Sequence, residues 1–200
     1  MIVAVVLSAG ESRRMGSPKA LLTIDGKPFI ERIVLALKAT KVGEIVVVLG
    51  HHADEIKPRI SRLPVTIVVN QDYAKGQLTS LLAAIQSLAK EKVDGVLVHL
   101  VDHPFLDSQL VNEMIDRFYE SKKLIVVPRY KGQRGHPVIL SSQLFPELLS
   151  APLDQGAKRV VHAHRDETLE VETEDEGVIL DIDTPEEYRQ YVGRKVNVQA

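Results

Sequence analysis

The feature that most restricts the fold of this chain is an alternation between short, almost continuously apolar runs and segments of helical period. Five runs are rich in β-branched residues and are expected to be strands buried on both faces: residues 2–7, 44–49, 65–69, 95–101 and 124–127. Between them apolar residues recur at intervals of three and four, as in Ile30, Ile33, Val34 and Leu37. This order predicts an α/β fold, in which helices cover a mostly parallel sheet.

Several residues indicate where helices begin. Pro28 suits a first helical turn, and Asp107 precedes an apolar series and is expected to cap it. Thr184, with Glu187 three residues later, forms a capping box for a final helix predicted at residues 185–192. These signals predict that helices begin near Pro28, just after Asp107 and just after Thr184.

Glycines and prolines interrupt the later part of the chain, from about residue 128 to residue 176. We expect this part to form a smaller antiparallel extension of the main sheet that faces a substrate. No internal repeat, low-complexity tract or flexible linker separates it from the rest. One domain over residues 1–200 is therefore the expected organisation.

Composition and charge exclude several classes of protein. The 27 acidic and 25 basic residues give a net charge of -2, a field too weak and of the wrong sign to gather nucleic acid. The chain has no cysteine, which excludes disulfides, thiolate metal sites and a cysteine nucleophile. The apolar run after Met1 is too short for a signal peptide or a membrane span. We expect a soluble, cytoplasmic protein with no nucleic-acid or membrane partner.

The most informative segment is LSAGESRRMGSPK at residues 7–19, called the glycine loop below. It leaves the carboxyl end of the first predicted strand, the edge where open α/β sheets bind ligands. Gly10 and Gly16 permit positive φ angles and a close approach of backbone amides to an anion, and three basic residues outnumber one acidic residue. The spacing fits neither a dinucleotide-binding G-x-G-x-x-G nor a Walker loop. A polyphosphate site is the prediction, with a merely flexible surface loop as the alternative.

The glycine loop resembles the L-x-A-G-x-S-x-R-M-G-x-x-K motif of nucleotidyltransferases, and most of all that of the molybdenum cofactor cytidylyltransferase family. In that family the loop wraps a nucleoside triphosphate. The resemblance implies that Arg14 contacts the phosphates and that Lys19 stabilises charge at the α-phosphate, both as catalytic residues. It further implies nucleotide binding by the first residues of the loop: Leu7, Ser8, Ala9 and Gly10. Arg13 is outside the motif and is expected to lie in solvent.

Nucleotidyl transfer needs a divalent metal ion, and two carboxylates are expected to bind it. Asp102 ends a predicted strand in Asp-His-Pro, at the ligand-binding edge of the sheet, and resembles the D-x-P motif whose aspartate binds metal in this family. A turn-capping role before Pro104 is the structural alternative. Leu-Asp-Ile-Asp-Thr-Pro at residues 180–185 resembles the family's D-I-D-T-P motif, which makes Asp183 the second ligand and Asp181 the fallback. Mg²⁺ is the implied cofactor, since it prefers one or two carboxylates together with phosphate oxygens.

Two further motifs suggest substrate contacts. The segment 70–80 resembles a family segment that binds base and ribose and contributes three residues, Asn70, Gly76 and Ser80, although Ser80 is equally explained as a helix-capping residue. Arg134, Gly135 and His136, followed by proline, resemble an R-G-H-P motif on the acceptor side. An arginine at this position can bind a phosphate monoester through two hydrogen bonds. The alternative is that the motif only forms a structural turn.

The resemblance runs from about residue 3 to residue 188 and implies a Rossmann-like, three-layer nucleotidyltransferase fold. It divides the domain into a nucleotide-binding part at about 1–127, an acceptor-facing part at about 128–183 and the C-terminal helix. The implied reaction joins the nucleotidyl group of CTP to the phosphate of molybdopterin and releases pyrophosphate. A molybdoenzyme or its chaperone is the partner expected by analogy.

Three alternatives remain at this point. A guanylyltransferase would use GTP, but its family carries L-A-G-G where this chain has alanine at position 9. A methylerythritol phosphate cytidylyltransferase shares part of the loop motif, but R-G-H-P and D-I-D-T-P argue against it. A regulatory protein that binds nucleotide without catalysis could dispense with the two metal carboxylates, which this sequence retains.

Overall fold

The computed structural model describes residues 1–88 and 92–196 of the chain. Within them the strands are β1 (Ile2–Ser8), β2 (Thr23–Ile24), β3 (Lys27–Pro28), β4 (Glu44–Leu49), β5 (Thr66–Val69), β6 (Gly95–Leu100), β7 (Ile125–Tyr130), β8 (Gln133–Arg134), β9 (Val138–Ser141) and β10 (Thr168–Glu172). The α-helices are α1 (Phe29–Lys38), α2 (Ala53–Ile60), α3 (Gln77–Ser87), α4 (Ser108–Ser121), α5 (Phe145–Ser150), α6 (Gly156–Ala163) and α7 (Pro185–Val196).

The main sheet runs in the order β10-β7-β9-β6-β1-β4-β5. Along this path the neighbours are parallel except at β9, which is antiparallel to both β6 and β7. β8 continues β7 as an antiparallel hairpin, and β2 pairs with β3 in a small separate sheet. The predicted α/β fold, a mostly parallel sheet with a small antiparallel part, is confirmed.

Helices cover both faces of this sheet because its central strands are apolar on both faces. Alternate residues of β1 enter different cores: Ala4 and Val6 pack with α1 and α4, whereas Val3 and Val5 pack with α3 and α5. All seven residues of β1 are buried. The three-layer architecture thus follows from the continuous apolar runs of the sequence.

The predicted helix caps are present. The Asp107 carboxylate accepts a hydrogen bond from the backbone N–H of Gln109 at 2.8 Å. Glu187 Oε2 accepts from the backbone N–H of Thr184 at 2.9 Å, and Thr184 Oγ1 accepts from the backbone N–H of Glu187 at 3.3 Å. The final helix begins at Pro185, as predicted, and extends to Val196 instead of ending at residue 192.

The region after residue 128 differs from the expected extension. β9 lies between β6 and β7 in the interior of the sheet, so this region supplies a central strand as well as the β7–β8 hairpin. β9 has only four residues and directly follows Pro137, so its sequence alone did not indicate a strand. Within residues 1–88 and 92–196, no helix has both the length and the apolarity needed to cross a membrane.

Candidate functional site

The glycine loop curls back on itself directly after β1. The Ser12 carbonyl accepts hydrogen bonds from the N–H groups of Met15 and Gly16, at 3.0 and 3.1 Å. Ser12 and Gly16 have positive φ angles of 53° and 73°. Of the two glycines that permit a positive φ, Gly16 adopts one and Gly10 does not, and Ser12 adopts the other positive φ of the loop. Open space surrounds the position that a Cβ at Gly10 would occupy, which leaves room for a ligand there.

The backbone of this loop has unused hydrogen-bond donors. Within the described part of the chain, the N–H groups of residues 10–14 donate no hydrogen bond. Consecutive amides of this kind form a concave site for an anion, because each carries a partial positive charge. The loop can therefore bind phosphate oxygens through its main chain as well as through its basic side chains.

The end of β4 fixes the position of the loop. The backbone N–H of His51 donates to the Ala9 carbonyl at 3.2 Å, and His52 Nε2 lies 3.1 Å from the Glu11 carbonyl. A Cβ on Gly50 would lie 2.5 Å from the Ala9 carbonyl oxygen, so glycine is required for this approach. Sequence reasoning missed this contact, although β4 was a predicted buried strand and residues after it reach the same edge as the loop.

The predicted carboxylates meet at this edge. Asp102 follows the end of β6, and the backbone N–H of Ile182 donates to the Asp102 carbonyl at 2.8 Å, which brings Asp183 beside it. Lys19 Nζ donates to Asp102 Oδ2 at 3.2 Å and also to Asp183 Oδ1, and Arg14 pairs with Asp183 Oδ2. The structure thus gathers the residues expected to be catalytic and those expected to bind metal.

The charges at this cluster fit a divalent cation. Burial tends to raise the pKa of Asp183, but Lys19 and Arg14 outweigh it and hold that pKa below its ordinary value. Asp102 Oδ1 is buried and has no hydrogen-bond partner among the described residues. The Lys19 ammonium group lies between the two carboxylates, so a cation is already stabilised at this position. Carboxylate oxygens are hard donors, which suit Mg²⁺ or Mn²⁺. Asp181 is exposed and does not join these ion pairs.

A cleft of about 280 Å³ connects the glycine loop to the carboxylates. Its lining includes nine residues predicted to be functional: Leu7, Ser8, Ala9, Gly10, Arg14, Lys19, Ser80, Asp102 and Asp183. It also includes polar residues that sequence reasoning missed: Ser12, His52, Tyr73 and Gln77. Tyr73 and Gln77 belong to the segment 70–80, for which only Asn70, Gly76 and Ser80 were predicted to bind the nucleotide.

Two predicted nucleotide-binding residues do not line the cleft. The Asn70 side chain donates to Thr79 Oγ1 at 2.8 Å and to Ser80 Oγ at 3.0 Å, so its amide is used to hold the start of α3. Gly76 precedes α3 with a φ of 115°, a conformation that favours glycine. Both residues shape the segment that presents Gln77 and Ser80.

A second, larger cavity of about 570 Å³ adjoins the first, and the two share Leu7, Gln77 and Leu100 in their linings. Arg134, Gly135 and His136 line it, on the side where the acceptor was expected. Arg134 Nε donates to Glu170 Oε1 at 2.6 Å, so its charge is already paired. A Cβ on Gly135 would lie 2.3 Å from the Val178 carbonyl oxygen, which makes this a position for glycine.

Three histidines form a cluster near Asp102: His99 and His103 are buried, and His136 is partly buried. His99 Nε2 lies 2.8 Å from the His103 carbonyl, and the rings of His103 and His136 are 4.9 Å apart. Burial lowers the pKa of His99 to about 3 and that of His136 to about 4, and it also lowers the pKa of His103. At neutral pH these rings are uncharged. The described residues form no group of three metal-ligating side chains, so the paired carboxylates remain the candidate metal site.

The buried His99 should make the protein less stable in mild acid. Its pKa in the folded state is below its unfolded value of 6.5, so the unfolded chain binds more protons between those values. The stabilisation is complete above pH 6.5 and is lost as the pH falls from 6.5 towards 3. In His99→Gln, urea denaturation should show a pH dependence weaker by up to about 1.4 kcal/mol per pH unit in this range.

The pH range above 7 is the internal control for this comparison, since wild type and His99→Gln should follow parallel curves there. Glutamine keeps a donor for the His103 carbonyl, which protects the fold. An equal loss of stability in both proteins between pH 6.5 and 4.5 would contradict the assignment of acid sensitivity to His99.

A Rossmann-like sheet with a basic glycine loop and paired carboxylates at its carboxyl edge has the features of the nucleotidyltransferase class. The chain belongs to the family of the MobA-like NTP transferase domain, whose model matches residues 4–168. The resemblance found in the motifs is therefore confirmed at the level of the family.

Curated relatives span several named activities. A probable molybdenum cofactor guanylyltransferase of Thermococcus sibiricus is 31% identical over 78% of this chain and 76% of its own length. The molybdenum cofactor cytidylyltransferase of Escherichia coli is 26% identical over 94% and 93%. Nicotine blue oxidoreductase of Paenarthrobacter nicotinovorans is 29% identical over 93% and 94%. Identities this similar do not separate CTP-using from GTP-using relatives.

Solved structures show the same fold. Rv0371c of Mycobacterium tuberculosis is 28% identical and superposes with a TM-score of 0.85, covering 96% of this chain and 97% of that protein. A manganese complex of Rv0371c from the same organism gives a TM-score of 0.80 at 26% identity, with 96% and 98% covered. A structural relative of this chain has thus been solved in complex with manganese.

Proposed function

We propose that this protein transfers the cytidylyl group of CTP to the phosphate of molybdopterin and releases pyrophosphate. The observation that carries the proposal is the meeting of Lys19, Asp102 and Asp183 beside a loop with five unused backbone donors. Chains of the MobA-like family that are named for molybdenum cofactor cytidylyl and guanylyl transfer support the choice of acceptor. The proposal takes residues 1–200 as one domain, with the nucleotide at about 1–127 and the acceptor at about 128–183.

The reaction needs little proton transfer. An oxygen of the acceptor phosphate forms a bond to the α-phosphorus of CTP, and the bond from that phosphorus to the bridging oxygen of the β-phosphate breaks. Pyrophosphate takes the electron pair. The acceptor phosphate is already an anion near pH 7, so catalysis depends on alignment and on neutralising charge.

Each residue of the cluster has a role in this scheme. The glycine loop amides and Arg14 bind the triphosphate, and Lys19 stabilises negative charge that develops at the α-phosphate. Asp102 and Asp183 would hold Mg²⁺, which supplies further charge neutralisation when it is bound. Gly135 and His136 contribute the wall of the adjoining cavity, where the acceptor would lie.

CTP is preferred because alanine stands at position 9, where guanylyltransferases carry glycine. Ala9 is buried next to Gly50 at the end of β4 and contributes to the lining of the cleft. The glycine loop lacks G-x-G-x-x-G spacing, which favours nucleotidyl transfer over the redox activity named for the Paenarthrobacter relative. GTP use, methylerythritol phosphate cytidylylation and nucleotide sensing remain outcomes of the test.

Pyrophosphate release should be measured with each of the four nucleoside triphosphates, Mg²⁺ and molybdopterin, and with methylerythritol phosphate as a second acceptor. We expect release with CTP and molybdopterin, at a rate well above that of the other combinations. Preference for GTP would overturn the choice of base but leave the acceptor in place. Tight CTP binding with no release for either acceptor would favour a sensor.

The proposal extends to the cell. The proposed location is the cytoplasm, and a molybdoenzyme or its chaperone would receive the product. Omission of Mg²⁺ from the assay, with Mn²⁺ as a replacement, tests the metal separately.

A further inference from the structure

The larger cavity has a basic side that the R-G-H-P motif does not provide. Lys158 and His162 on α6, and Arg165 just after it, occur at spacings of four and three residues and all contribute to the cavity lining. Lys158 and His162 lie one turn apart on one face of α6, and Arg165 reaches the same cavity from the turn that follows the helix. The cavity is therefore bordered by a row of basic groups, called the α6 face below.

The cations of the α6 face are uncompensated. The side chains of Lys158 and Arg165 form no ion pair or hydrogen bond with any described residue. Arg134, by contrast, is paired with Glu170, and Arg129 contacts the same carboxylate at 3.2 Å. Asp154 is the acidic member of the lining and does not balance both cations. The charge available to a ligand in this cavity lies on the α6 face.

Another part of the cavity lining is apolar. Leu78 and Leu81 of α3, with Leu140 of β9, are buried and line it. A lining that combines apolar side chains with two unpaired cations suits a ligand with a flat or apolar body and an anionic group. The reacting phosphate must lie near Lys19 and Asp102, in the first cleft, so the α6 face would contact a different group of the same molecule.

We propose that Lys158 and Arg165 bind a second anionic group of the acceptor, remote from the phosphate that attacks the nucleotide. This inference rests on the proposed function and makes the α6 face, instead of Arg134, the determinant of acceptor recognition. Lys158 and Arg165 are binding residues in this scheme and take no part in the chemical step. His162, between them, adds a hydrogen-bonding group.

The double variant Lys158→Ala/Arg165→Ala tests the assignment. At saturating CTP, its KM for molybdopterin should rise about 3- to 30-fold, since Lys158 and Arg165 are exposed and an exposed ion pair contributes up to about 1 kcal/mol, or about fivefold. Its kcat and its KM for CTP should stay within about twofold of wild type. Raising the salt concentration should raise the KM of wild type for molybdopterin and leave that of the variant almost unchanged.

Arg159→Ala is the matched control, because Arg159 is on the same helix, bonds to Gln155 Oε1 at 3.0 Å and does not line the cavity. It should behave like wild type. An unchanged KM for molybdopterin in the double variant, or an equal rise in Arg159→Ala, would overturn the role of the α6 face while leaving the proposed function standing.

A binding measurement without CTP separates the two proposals. Molybdopterin binding, followed by pterin fluorescence, should weaken in the double variant by the same factor as the KM rises. If wild type binds molybdopterin through the α6 face but transfers no nucleotide to it, the proposed function fails and the cavity assignment survives. If wild type does not bind molybdopterin, the α6 face assignment fails.

Discussion

Replacing Asp102 with asparagine is expected to lower nucleotidyl transfer by about 100- to 1,000-fold while leaving the fold in place. The carboxylate is one of two at the cluster, and Lys19 contacts its Oδ2 at 3.2 Å. Asparagine keeps the backbone carbonyl that accepts from Ile182, so the local structure should survive. Steady-state pyrophosphate release at saturating CTP, molybdopterin and Mg²⁺ measures the effect.

Asp107→Asn is the control for this substitution. Asp107 follows the same strand, caps α4 through its side chain and does not line the first cleft. Asparagine is also a good helix cap, so stability and turnover should both remain near wild type. Near-normal turnover in folded Asp102→Asn would refute a metal or catalytic role for Asp102.

Replacing Lys19 with alanine is expected to have two opposite effects. Turnover should fall by about 100- to 1,000-fold, because the charge near the α-phosphate is lost. Binding of Mn²⁺ in the absence of nucleotide should tighten about tenfold, since the Lys19 ammonium now pairs with both carboxylates and competes with a metal ion. Calorimetric titration with Mn²⁺ alone measures the second effect without any turnover.

Arg13→Ala is the matched control in the same loop. Arg13 pairs with Glu11, is 83% exposed and does not line the cleft, so its removal should change neither turnover nor Mn²⁺ affinity. Unchanged or weaker Mn²⁺ binding in Lys19→Ala would show that Lys19 does not compete for the metal site, whatever its effect on turnover.

The sequence predicted those parts of the fold that depend on local patterns. Continuous apolar runs identified β1, β4, β5, β6 and β7, five of the parallel strands, and short polar signals identified the caps at Asp107 and Thr184. β9 was missed because its place between β6 and β7 depends on pairing with distant strands. Local composition determines whether a segment can be a strand, whereas its neighbours in the sheet are decided by the whole chain.

The candidate site was likewise predictable where it depends on sequence motifs, and not where it depends on contacts between distant residues. The resemblance in the motifs identified Lys19, Asp102 and Asp183, and the structure joins Lys19 to partners 83 and 164 positions away. The contacts of Asn70 with α3 and of Arg134 with Glu170 were not predicted. They depend on which side chains meet after folding, and a motif names residue types without showing how their hydrogen bonds are already used.

The single hydrogen bond from Ile182 to the Asp102 carbonyl has a consequence for synthesis on the ribosome. All strands of the sheet within residues 1–88 and 92–196 precede residue 182, so a nascent chain can begin to assemble its core before the second carboxylate is translated. Lys19 and Asp102 would then face each other without Asp183. The cluster is completed only when Asp183 has been translated, so a chain that stops before residue 183 lacks one of its two carboxylates.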